Sequence, residues 1–450
     1  MTTHAFLPRS VAGVEVYTDR LARALQQLGH TVWVLTAVHD LAARPHSIRP
    51  VSVGPVEVFE LVNARLEGRL TSSYALPEIG EAIRSLLEQL RPDCVHAQHL
   101  LNLSADLLGS ARRLGAAVVL TVHDYWLSCP RDGLRMRADG FLCQAVDHRV
   151  CSDCLSDSPY LVGPVQRLAA RAARALALAP AVHWMHGHNP AATTAALRLI
   201  RGVRPPAARD LRGALESRQR DLQCALREVD LVLAPTRFAR DRAVEWGVPA
   251  PLVRVEPLGA IETAPRARPA GPRRRFGYLG SLLPHKGVHL LVESFRRLTR
   301  ADVSLQIFGD PGLDPSYARD LRRLANGDPR IHFRGAAQPG DSAVWACLDL
   351  LVLPSLWWEN SPLSMLEALG WGVPVVASRT GGVPELIPAS AGVLTSPGDV
   401  QALADVLAAA ADGRILSEPL APLPMRTAAH QAAALGELYA GLIAERGRHP

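Results

Sequence analysis

Residues 348–385 read LDLLVLPSLWWENSPLSMLEALGWGVPVVASRTGGVPE, and their pattern decides the fold. A short run at 348–354, apolar except for Asp349, gives way to a polar loop, then to a helical stretch at 362–369. A second apolar run follows at 373–378 and closes on Gly381-Gly382. Strands covered on both faces read this way, joined by helices that carry the chain back to a parallel neighbour. Upstream, the same alternation predicts strands at 31–37, 56–61, 94–98, 117–123, 231–235 and 252–257, with helices at 14–28, 77–90, 104–114, 212–227 and 237–246. Downstream it predicts strands at 276–280, 304–309, 331–335, 348–354, 373–378 and 392–396, with helices at 288–299, 315–325, 362–369, 383–387 and 400–411.

Between the two series, residues 257–275 are rich in Pro, Gly and Arg, lack an apolar period and read as a flexible linker. The expected class is therefore α/β, with two doubly wound Rossmann-like domains facing a central cleft. The first domain spans 1–260 with a Cys-rich insert at 125–155, the linker spans 261–275, and the second domain spans 276–425. A last helix, 426–450, is expected to cross back to the first domain. Ligands in such sheets bind outside the carboxyl ends of the strands, so the residues of interest follow each strand.

The composition is that of an ordinary globular chain: 450 residues, 48% hydrophobic and 20% charged, too mixed for a disordered or fibrous protein. A net charge of +6 is too dilute at this length to argue for nucleic-acid binding. No apolar run approaches the ~18 residues of a membrane helix, and the start, MTTHAFLPRS, lacks a secretory pattern. These features predict a cytoplasmic protein. Only His4 to Leu7 is available for a first strand before Pro8, a shortness that points to a start codon downstream of the true one.

Lys286 is the only lysine among 49 cationic residues, and it directly follows the first strand of the second series. A compact ammonium at a strand's carboxyl end suits a diphosphate. In the quoted stretch, Ser361 is the expected N-cap and Pro362 the first helical residue, so the free N–H groups near Leu363 form an anion site with the helix dipole. Glu359 lies just before that helix and Glu367 more than a turn into it, so one carboxylate can face a sugar and the other a ribose. Two Glu at this spacing are otherwise ordinary solvated helix charges; the flanking Trp357-Trp358 and Gly381-Gly382 set them apart.

The chain resembles family 4 glycosyltransferases of the GT-B fold over nearly its whole length. The stretches that carry the likeness are AGVEVYTDRLARALQQLGHTVWVLT, RPDCVHAQH, VVLTVHD, DLVLAPTRFARD, FGYLGSLLPHKGVHLLVESF, LQIFGD and WENSPLSMLEALGWGVPVVASRTGGVPEL. The resemblance implies a retaining, metal-independent transferase that moves a hexose-type sugar from a UDP- or GDP-linked donor to a glycan or lipid-linked acceptor. No Asp-x-Asp triplet stands against it. By the same likeness Glu359 faces the donor sugar, Glu367 the ribose, and Lys286 the diphosphate. Asn360, Ser361 and Leu363 offer donors to the phosphates, Gly309 lies near the nucleotide, and Gly13 lets backbone approach. A sugar phosphorylase, a sugar-nucleotide epimerase or a catalytically silent partner subunit shares the architecture. Two departures stand out: Ser281 replaces the family's Arg, for which Arg275 or Arg379 could compensate, and Ala12 replaces the first glycine of a pair.

On the acceptor side, His123 at the end of VVLTVHD matches a histidine beside the transferred sugar. His96, His99 and Glu15 are further candidates. Cys129, Cys143, Cys151 and Cys154, ending in a CxxC, suit a structural zinc or an iron–sulfur cluster that pins the insert, with His148 as a substitute ligand. Arg167, Arg171 and Arg174 recur at helical spacing, as a peripheral contact with the inner face of a membrane requires.

Overall fold

The computed structural model describes residues 1–65, 68–137, 139–155, 158–161, 211–259 and 269–447. The first domain carries strands β1 (Thr2–Thr3), β2 (Trp33–Val38), β3 (Ile48–Val53), β4 (Val56–Val62), β5 (Cys94–Ala97), β6 (Ala117–Thr121), β7 (Leu231–Ala234) and β8 (Val253–Val255). They form one sheet in the order β3-β4-β2-β1-β5-β6-β7-β8. Its helices are α1 (Gly13–Gln27), α2 (Pro77–Leu90), α3 (Asp106–Arg113), α4 (His148–Cys154), α5 (Arg212–Ala225) and α6 (Arg237–Trp246).

The second domain carries β9 (Arg275–Leu279), β10 (Ser304–Phe308), β11 (Ile331–Gly335), β12 (Leu350–Leu353), β13 (Val375–Ser378) and β14 (Gly392–Thr395), in the order β11-β10-β9-β12-β13-β14. Its helices are α7 (Val288–Arg296), α8 (Pro315–Ala325), α9 (Ser342–Ala346), α10 (Leu363–Gly370), α11 (Val383–Leu386) and α12 (Val400–Ala411). Helix α13 (Ala428–Gly447) returns to pack on the first domain. Its Tyr439 hydroxyl meets His96 at 2.6 Å.

All six strands of the second sheet pair in parallel, and β12 and β13 are buried throughout, as their unbroken apolar runs require. In this sheet the strand order reverses beside β9, so the loops after β9 and β12 diverge over one crevice, where such folds place their ligand. In the first sheet the reversal falls at β1.

Two strands depart from the sequence reading. The first is Thr2–Thr3, ahead of His4, paired in parallel with both β2 and β5; two residues carry no period to read. The other is β3, antiparallel to β4 at the sheet edge, where a half-exposed strand tolerates Pro50. The linker also differs from a free tether at its described ends. Gly259 N–H donates to Gln431 of α13 at 2.6 Å, and the buried Arg273 donates to the carbonyls of Leu416 and Glu418, each at 2.7 Å. Among the described residues no helix is long and apolar enough to cross a membrane. Arg167, Arg171 and Arg174 lie outside the described residues.

Candidate active site

Lys286 and Glu359 come from the two loops that diverge at the switch point of the second sheet, and they meet there. Lys286 Nζ donates to Glu359 Oε1 at 2.8 Å and sits 4.6 Å from the centre of the Trp357 ring. Ser355 donates its hydroxyl to the same carboxylate oxygen at 2.7 Å. Burial of Glu359 favours the neutral acid, but Lys286, Ser355 and Trp357 outweigh it and hold the carboxyl below its usual range. Glu359 is thus a buried anion whose counter-ion is the chain's solitary lysine.

Two glycines make that meeting possible. Gly287 ends the turn carrying Lys286 with φ +70°, and a Cβ there would stand 2.0 Å from the Pro354 carbonyl oxygen. Gly381, at φ +59°, would bring a Cβ to 2.0 Å from the carbonyl oxygen of Glu359. The loop bearing Glu359 is therefore clamped between its neighbours at distances only glycine permits.

Helix α10 starts at Leu363 with Pro362 as its N-cap and no side-chain cap. Ser361 is therefore not the cap expected: its buried hydroxyl has no partner among the described residues, and neither does Asn360 Nδ2. The other end of the Asn360 amide accepts the Tyr125 hydroxyl at 2.5 Å. Because Tyr125 belongs to the first domain, this opening turn faces the gap between the domains. Its first N–H groups lack intrahelical acceptors, so the turn combines free backbone donors, orphaned side-chain groups and the positive end of a helix dipole.

Glu367, 6% exposed, sits one turn deeper and meets Arg20 of α1 across the cleft at 2.8 Å. Burial raises its carboxyl, and Arg20 offsets that only in part. Gly309, at the carboxyl end of β10, packs against the Ser281 loop; a Cβ on it would fall 2.4 Å from the Gly280 carbonyl oxygen. Of the two proposed substitutes for the missing arginine, one lies away from the site. Arg275 is held by Asp349 at 2.6 Å at the amino end of β9, the opposite end of the strand, and Arg379 is exposed. Gly13 does not use a left-handed conformation, and the space where its Cβ would lie is open to 4 Å.

On the facing wall, His123 donates through Nε2 to Gln98 Oε1 at 2.8 Å and stacks edge-on against Tyr17. Burial lowers its pKa to about 3, so the ring is neutral under physiological conditions. Glu15 is 1% exposed; Oε1 takes the Ser10 hydroxyl at 3.2 Å, and Oε2 has no partner among the described residues. Burial raises its carboxyl above the usual range. His96 and His99 have both ring nitrogens engaged by neighbouring residues. His96 lies between Thr121 and Tyr439, while His99 holds Asp124 at 2.9 Å and accepts the Leu101 N–H. Both brace strand ends.

The metal expectation for Cys129, Cys143, Cys151 and Cys154 is not met: among the described residues no three His, Cys, Asp or Glu side chains form a group able to hold an ion. The four are free thiols. Burial, and then the neighbouring thiols Cys129, Cys143 and Cys154, push Cys151 up to about 12. Two buried arginines pin the insert instead. Arg135 donates to the carbonyls of Cys143 and Gln144, each at 2.9 Å, and Arg218 to that of Leu127 at 3.0 Å.

The sequence reading missed the residues that join the walls. Glu385 accepts the N–H groups of Arg237 and Phe238 at 2.9 and 2.7 Å, capping α6 from the other domain. Tyr125 stands edge-on to Trp357 and Trp358. Its place two residues after His123 was the only available signal.

Two doubly wound domains whose strand ends face one another across a cleft define the GT-B class. The solved sucrose-phosphate synthase of Thermosynechococcus elongatus shares this fold, with a TM-score of 0.60 at 19% identity, covering 97% of this chain and 94% of that one. Residues 11–152 match the family described as Glycosyltransferase Family 4, and residues 273–412 that described as Glycosyl transferases group 1. The chain belongs to this family. A sulfoquinovosyl transferase of Arabidopsis thaliana is 35% identical over 129 residues, covering 28% of this chain and 24% of that protein. An MMP alpha-(1->4)-mannosyltransferase of Mycolicibacterium hassiacum is 29% identical over 222 residues, covering 48% and 51%. The chain thus spans between a quarter and about half of the length of these curated relatives.

Proposed function

We propose that the protein transfers a hexose from a UDP- or GDP-sugar to a hydroxyl of a glycan or lipid-linked acceptor, with retention of anomeric configuration and without a divalent cation. The observation that carries this reading is the Lys286–Glu359 pair at the switch point, beneath the free opening turn of α10. In the reaction the bond from the sugar's anomeric carbon to the diphosphate breaks and a bond to the acceptor oxygen forms. The acceptor's proton leaves with the diphosphate. Negative charge grows on the phosphate oxygens, where Lys286 and the N–H groups of α10 are already aimed. Positive charge grows on the sugar ring, where Glu359 supplies a preformed anion.

Glu367 takes the ribose hydroxyls. His123, neutral, and Glu15 line the acceptor side, and holding the hydroxyl beside the leaving group supplies much of the remaining acceleration. Mannosyl transfer by the Mycolicibacterium relative supports a hexose donor. The test is a panel of UDP- and GDP-sugars assayed for transfer and donor hydrolysis with wild type and Glu359→Ala. At least one donor is turned over by wild type, and the variant loses about a hundredfold or more, the scale seen when one transition-state charge contact is removed. Turnover unaffected by the substitution overturns the reading.

A further inference from the structure

Arg20 stands on the second turn of α1 in the first domain, and its Nη1 donates to Oε1 of Glu367, 347 positions away in the second. The two side chains are 14% and 8% exposed. A pair this buried adds little to stability once desolvation is counted, so its use is to be sought in the cleft it spans. Only one carboxylate oxygen is engaged: Oε2 has no protein partner among the described residues and is not among the buried orphan atoms. Arg20 is also the one charged group among the described residues that acts on Glu367 from any element packed around it.

We propose that Arg20 is a positioning residue for the donor's ribose, holding Glu367 as an oriented carboxylate with one oxygen on the guanidinium and the other free to accept the ribose hydroxyls. Because the partners lie in different domains, the ribose contact is complete only with the cleft closed as seen here. This rests on the reading that Glu367 takes the ribose. A carboxylate accepts hydroxyl protons through either oxygen, whereas a protonated acid must spend one oxygen as a donor. Burial already favours the protonated acid at Glu367, and Arg20 is what opposes it. Without Arg20 the carboxyl titrates higher, so ribose recognition fails as pH falls and returns as pH rises.

The experiment is calorimetric binding of UDP and GDP, each against its 2′,3′-dideoxy counterpart, between about pH 6 and pH 9. Wild type, Arg20→Ala and Arg20→Lys are compared. Wild type favours the better-bound ribonucleotide over its dideoxy form by about tenfold or more across the range, the worth of one charge-assisted contact. Arg20→Ala loses most of that preference near pH 6 and regains it near pH 9, with affinity for the dideoxy form unchanged. Arg20→Lys keeps most of the preference throughout. If Arg20→Ala retains the full preference near pH 6, or loses it in a way that neither high pH nor lysine restores, this proposal alone is overturned. A wild type indifferent to the ribose hydroxyls overturns the role of Glu367 and this proposal with it.

Discussion

The two walls of the cleft treat charge differently. On the second domain, Glu359 stays ionised because Lys286 lies 2.8 Å away, and the helix turn above them offers unspent donors. On the first domain burial keeps two histidines neutral, lowering His4 and His123 to about 3, and it raises Glu15 above its usual range, while His99 at 2.9 Å helps hold the buried Asp124 below its own. On the proposed function, the wall on the second domain takes the diphosphate and the wall on the first the acceptor hydroxyl. Hydrogen bonds cross between them at Arg20–Glu367, Tyr125–Asn360 and Glu385 on the first turn of α6, so residues of the first domain frame the site on the second.

The sharpest way to break the charged wall without touching a charge is Gly381→Ala. The new methyl meets the Glu359 carbonyl in a left-handed conformation, so the variant loses about 3 kcal/mol of stability together with donor affinity. Thermal unfolding and nucleotide titration read both, and a variant that unfolds like wild type would show that the loop is not clamped. A smaller effect is expected from Tyr125→Phe, which removes one buried hydrogen bond between the walls. The donor KM rises by about fivefold to tenfold, the equivalent of about 1 kcal/mol, in steady-state kinetics.

The contrast between the walls also predicts a pH profile. From about pH 8 to about pH 5 neither His123 nor His4 changes charge, with both near 3, and Glu359 remains a carboxylate. Of the two raised carboxyls in the cleft, Glu15 faces the acceptor side and Glu367 the donor side, so the acid limb of kcat/KM for the donor is expected from Glu367. Activity falls as pH drops through that ionisation, and Glu367→Gln flattens the limb. A limb that persists in the variant assigns it elsewhere. The smallest change comes at the back of the first domain's wall. Tyr439→Phe frees one ring nitrogen of His96 and costs about 1 kcal/mol of stability, measured by denaturant melts, while transfer is unchanged.

Much of this was legible in the sequence, for identifiable reasons. Helices α2, α6, α8 and α12 fall at the residues expected, because their apolar periods are long and bounded by Pro, Gly or Asp. Lys286 stood out because a lone lysine in an arginine-rich chain is conspicuous, but its meeting with Glu359 was not legible. Edge strand β3 was not, since Pro50 and alternating exposure mimic a loop. Arg20 was hidden because its partner is 347 positions away and helical spacing alone makes it one more surface cation. The cysteines misled because a CxxC spacing says nothing about whether buried arginines already do the pinning.

The central claim is that the diphosphate of the donor is cradled by Lys286 and the opening turn of α10. It is tested most directly by titrating UDP, UMP, GDP and GMP into wild type and Lys286→Ala. Wild type is expected to favour one diphosphate over its monophosphate by about tenfold or more, and the variant to lose this preference while its monophosphate affinity hardly changes. A Lys286→Ala protein that still discriminates diphosphate from monophosphate as wild type does would contradict it.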